Sequence, residues 1–98
     1  MSKNRPNITV KPNTANDVIA LLNAQQGWDA VPVGTALFIQ NKGSVPIFVH
    51  ETAGEPTSFD GGIGIYYTGW GVETDADAPG VKITFKGTSD ITVGVKVI

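Results

Sequence analysis

The chain has 98 residues, with 7 Lys and Arg against 9 Asp and Glu, a formal charge of -2, and no cysteine. That length suits one modest core, the absence of cysteine excludes a disulfide framework, thiolate chemistry and cysteine-type zinc sites, and the acidic balance argues against a nucleic-acid partner. No apolar run approaches the ~20 residues of a membrane span, so no membrane partner is expected either.

In chain order, "MSKNRP" is polar and basic and is not the pattern of a secretory signal. Residues 1–6 are read as a flexible N-terminal arm, with Lys3 and Arg5 carrying positive charge toward an adjoining subunit, and residues 7–98 as a single β-domain. The twelve glycines and six prolines of the chain favour short strands and many turns. "NITVK" alternates, with Ile8 and Val10 on one face and Thr9 and Lys11 on the other. In "TANDVIALLNAQQG" the spacing of Val18, Ile19, Leu21 and Leu22 predicts a helix of about ten residues over 15–24, opened by Thr14 and Asp17 and stopped by Gly27. So short a helix must lean on a sheet. "GWDAVPVG" reads as an irregular connector, since Pro32 disfavours a central strand.

"TALFIQNKGSVPIFVHE" reads as a hairpin turning at "NKGS". Parity places Leu37, Ile39, Val45, Ile47 and Val49 on one side and Phe38, Phe48 and His50 on the other, so both sides carry large side chains. Either helix 15–24 or loop 52–62 covers the second side within the subunit, or it is an intersubunit contact. "GIGIYYTGWGVET" reads as two short strands, 63–67 and 70–74. Parity puts Tyr67 in the core with Ile63 and Ile65, leaves Tyr66 more exposed, and sets Trp70 with Val72. "VKITFK" and "ITVGVKV" point Val81, Ile83, Phe85, Ile91, Val93, Val95 and Val97 inward, and "GTSD" between them suits a second hairpin. The fold class expected is all-β: a small antiparallel β-sandwich or partly open β-barrel with one short helix.

Residues 37–50 resemble the hairpin of small β-barrel or β-sandwich accessory proteins of tailed-bacteriophage virions, in which apolar-Ile-Gln-Asn-x-Gly-x-x-Pro-(Ile/Val)-aromatic-Val recurs. The Gly-rich loop, Trp-bearing strand and Val-rich C-terminus that follow are in a similar order. Such modules often carry a Leu-x-Pro-Gly turn, which "DGGIGIYYTGW" lacks. The resemblance implies a structural protein of a virion, assembled in the host cytoplasm. It would be a head decoration (cement) protein or a fibre base, bound to a major capsid or tail protein and acting as a homo-oligomer. On that reading Lys3, Arg5, Phe38, Phe48 and His50 form the interface.

Catalytic and metal signatures are weak. His50 is the sole histidine, and no "GxSxG" turn accompanies it. Glu73, Asp75 and Asp77 alternate in "ETDADAPG" without the glycine and glutamate of a calcium loop, which reads as a solvated acidic turn. "GGIG" lacks the strand-then-helix context of a phosphate loop. No cofactor, metal or enzymatic activity is expected. The alternative function is a carbohydrate-binding module, or a receptor-binding or fibre-base domain, presenting Tyr66 and Trp70 as a ligand surface.

Overall fold

In a computed structural model describing residues 3–98, two antiparallel sheets enclose one core, with a single short helix. The elements are β1 (Lys3–Asn4), β2 (Ile8–Val10), β3 (Asn16–Asp17), α1 (Val18–Asn23), β4 (Leu37–Asn41), β5 (Ile47–His50), β6 (Ile63–Ile65), β7 (Gly71–Glu73), β8 (Lys82–Thr84) and β9 (Ile91–Val97). The first sheet has the order β1-β9-β4-β7, with β2 pairing β9 on the same edge as β1. The second has the order β3-β8-β5-β6. The all-β sandwich with one short helix is therefore the architecture of the chain.

Inward-facing residues follow the sequence alternation closely. Leu37, Ile39, Ile47, Ile83, Phe85 and Val93 are all fully buried, and they meet as two inner faces across the core. Connectivity differs from the expectation. Neither "LFIQ…IFVH" nor "ITF…ITVGV" is a hairpin: β4 pairs with β7 and β9, and β5 with β6 and β8. Likewise β8 pairs with β3 and β5, while β9 pairs with β1, β2 and β4. Each of these connections carries the chain from one sheet to the other. An arch of this kind leaves parity untouched, because the apolar sets of the two strands face each other across the core instead of lying side by side. It sends the outer sets in opposite directions.

Buried asparagines hold the crossovers together. Asn41 is fully buried. Its Nδ2 donates to the carbonyl oxygens of Val45 and Ile65 at 2.9 and 3.0 Å, and its Oδ1 accepts the Gly43 N–H at 2.8 Å. One carboxamide thus satisfies backbone groups of both the β4–β5 and β6–β7 crossovers, as buried polar groups require. Asn16 does the same for the β2–β3 crossover. It accepts from Lys11 N–H at 2.8 Å and donates to the carbonyls of Lys11, Thr14 and Ile83.

The helix is shorter than its sequence signal, Val18–Asn23 rather than 15–24, because residues 16–17 are drawn into strand pairing with β8. Asp17 is its N-cap, accepting the Ala20 N–H at 3.1 Å. Burial pushes the Asp17 carboxyl up, but hydrogen bonds from the Ala20 N–H and the Lys82 ammonium outweigh it and hold the group below its usual value. Val18, Ile19 and Leu22 form the buried stripe.

The expected free arm is tied down over its described part, while Met1, Ser2 and the Lys3 side chain lie outside the described residues. Lys3–Asn4 pairs with Val97 and Lys96 of β9. Arg5 is buried, and its guanidinium donates to Gln25 Oε1 at 3.0 Å, Asp29 O at 2.9 Å and Leu22 O at 2.8 Å. It also lies 5.2 Å from the centre of the Trp28 ring. Charge and polarity in "MSKNRP" suggested a solvated arm, yet a planar five-donor group suits the three acceptors of Leu22, Gln25 and Asp29 gathered beside it.

Candidate functional site

Of the residues grouped by sequence as one interface, the four with described side chains, Arg5, Phe38, Phe48 and His50, do not come together in one patch. Phe38 sits on the outer face of the first sheet, in register with Lys96 on β9 and Glu73 on β7. Its ring leans over Gly71, where a Cβ would come 2.5 Å from Phe38 Cζ and 2.7 Å from the Ile39 carbonyl oxygen, so glycine is required at that position. The Lys96 ammonium stands 5.7 Å from the ring centre. Phe48 lies on the outer face of the opposite sheet, in register with Gly64 and Thr84. There it meets Tyr66 edge-on at 5.8 Å. Phe38 and Phe48 are both half-buried and cannot form one patch, because the β4–β5 arch turns their strands to opposite sides of the core.

His50 is buried, which corrects its reading as an interface residue. Loop 51–62 covers it: Gly62 (φ +77) approaches so closely that a Cβ would lie 2.9 Å from His50 Nδ1. His50 Nε2 is 2.8 Å from Thr84 Oγ1, and Thr84 Oγ1 donates to Phe59 O at 2.9 Å. The single hydroxyl proton is committed to Phe59, so His50 Nε2 must be the donor, which fixes the neutral tautomer as Nε2–H. Burial lowers the His50 pKa below its ordinary value. This is the chemistry of a clasp that pins loop 51–62 to β5 and β8. Arg5, likewise assigned to the interface, is committed to the contacts described above.

The exposed aromatic surface lies along the side where β6 and β7 form the edges of the two sheets. Ile63, Tyr66, Tyr67 and Trp70 are 56, 55, 61 and 58% exposed. Tyr66 and Trp70 are thus surface residues. Tyr67 corrects its core assignment. The period-two pattern ends at Ile65, and Tyr67 falls on the crossover, where its ring packs 4.5 Å from that of Trp70 at an interplanar angle of 67°. The "YYTGW" turn that presents them is held by Asn41. Gly69 N–H donates to Asn41 O at 2.7 Å and Asn41 N–H to Trp70 O at 2.9 Å, with Gly69 at φ +90 closing the turn. Thr68 Oγ1 adds a hydrogen bond to Gly43 O. The sequence clue missed for Tyr67 is the Thr-Gly pair beside it, which ends strand alternation and exposes what precedes it.

The acidic stretch does not converge. Glu51 Oε1 accepts the Asp75 N–H at 2.6 Å, Asp77 adopts φ +65, and among the described residues no three His, Cys, Asp or Glu side chains gather as metal ligands. No protein-family model, curated protein or solved structure matches the chain.

Proposed function

We propose that the chain is a non-enzymatic structural protein of a tailed-phage particle. In this reading it is a head decoration protein that binds the major capsid protein, or a tail protein in its place, and acts as a homo-oligomer in the virion. The observation that supports it is the exposure of Ile63, Tyr66, Tyr67 and Trp70, four large side chains on β6 and the crossover that follows it, each more than half exposed. Apolar and aromatic surface of this kind, beside backbone held rigid by Asn41, is what a protein interface uses as its anchor. The motif of residues 37–50 supplies the virion context. Within that motif Asn41 holds the 66–70 turn in place.

The test is co-sedimentation with capsid shells of the encoding phage stripped of the protein. Wild type should bind, and Trp70→Ala with Tyr67→Ala should lower occupancy about tenfold or more while leaving the melting temperature nearly unchanged. Absence of binding by the wild type overturns the proposal. The second reading, a carbohydrate- or receptor-binding module, is favoured by the Tyr67–Trp70 pair, and selective signal on a glycan array that is lost in Trp70→Ala would replace the first.

A further inference from the structure

We infer that the outer face of the first sheet is a self-complementary pairing surface for a second copy of this chain. This rests on the homo-oligomeric reading above and names the surface that carries it. Three residues stand in one row across that face: Lys96 on β9, Phe38 on β4 and Glu73 on β7, each in register with its neighbour. The row reads positive, aromatic, negative. With strands about 4.8 Å apart, the charges sit roughly 10 Å from each other on either side of the ring. A twofold axis parallel to β4 and passing over Phe38 exchanges left for right. It brings the two Phe38 rings together and sets Lys96 of each copy opposite Glu73 of the other, so that both contacts form at once.

The charges involved are available. Among the described residues the ion pairs are Lys82–Asp17 and Lys86–Asp60, at 3.2 and 3.6 Å, and neither Lys96 nor Glu73 belongs to one. Beside Phe38 a trough of about 390 Å³ is lined by Gln40, Lys42, Gly94 and Lys96, among others, and among the described residues no carboxylate stands in its wall. Lys42 lies across Gly94 and donates to Asn7 Oδ1 at 3.0 Å, so this half of the face is positive on a chain of net charge -2. The β7 half carries Glu73, which is exposed and leads into Asp75 and Asp77. A face divided in this way repels a copy in the wrong register and attracts one related by the twofold.

Charge reversal of the full chain tests this, read by sedimentation equilibrium over a wide concentration range at low salt. Wild type should dimerise, and the dimer should weaken as salt is added. Lys96→Glu and Glu73→Lys should each weaken it about tenfold or more, since each sets like charges opposite at both contacts. The double reversal, and an equimolar mixture of the two single variants, should restore association, because both re-create opposite charges at both contacts. A strict monomer, single reversals without effect, or a double reversal that stays monomeric overturns the inference. If a reversal fails to fold, wild-type salt dependence decides, and a dimer indifferent to salt counts against it. Particle binding is read separately: a dimer that ignores capsid shells defeats only the decoration reading, and a monomer that binds them defeats only this one.

Discussion

Asn41 Nδ2 donates to the carbonyl oxygen of Ile65 at 3.0 Å, a contact inside the core between residues from different sheets. The same amide reaches Val45 O, so one side chain couples two crossovers distant in sequence. Replacing Asn41 with Leu keeps comparable volume but strips partners from three backbone groups. At about 1–3 kcal/mol for each buried group left unpaired, the variant should lose at least ~2 kcal/mol in urea unfolding. Asn41→Asp should fare no better, since the carboxylate has no proton to donate and brings a charge into the core. Near wild-type stability in both variants would remove Asn41 as the element that sets the crossovers.

Arg5 makes a second measurable claim. Arg5→Ala removes the guanidinium's hydrogen bonds to Leu22 O, Asp29 O and Gln25 Oε1 and uncovers part of Trp28, so a loss of about 2 kcal/mol is expected. Arg5→Lys should recover little of it, because an ammonium cannot reach three acceptors with the guanidinium's geometry. Deletion of residues 2–6 should lower the melting temperature for the same reason. An unchanged melting temperature would return this stretch to the role of a free leader.

The His50 clasp predicts a pH dependence. Burial depresses the His50 pKa in the folded state below its ordinary 6.5. The unfolded chain therefore binds the proton more readily, and the stability from the neutral ring is complete above the unfolded value and is lost as pH falls through the folded one. Glu51 and Glu55 line the same hollow. Thermal melts should show falling stability between about pH 7 and pH 5. His50→Gln should be less stable at neutral pH and should lack that step. A wild-type profile flat across the range, or a variant profile parallel to it, would exclude the clasp.

Much of this fold was legible in the residues themselves. Alternation in "NITV", "LFIQN", "IFV", "KITF" and "VGV" identified which side chains turn inward, because a buried face imposes period two on any strand wherever its partner lies. The same property explains what was not legible. Parity is identical for a hairpin and for an arch, so it could not tell whether Ile47 lies beside Ile39 or across the core from it, nor that Phe38 and Phe48 face opposite ways.

Tertiary structure alone decided the rest. Arg5 reads as a solvated charge until Leu22 O, Asp29 O and the Gln25 side chain come beside it. His50 reads as a surface residue until loop 51–62 folds over it, and Tyr67 as core until the crossover after Ile65 turns it outward. Asn41 looks like an ordinary turn former within "QNKGS" and becomes the centre of two crossovers only when Ile65 and Trp70 are brought to it from more than twenty residues away. Local sequence determined the inward face of each strand through burial. Which strand lies opposite, and so which residues remain to meet a partner, was settled by where distant backbone groups found their hydrogen bonds.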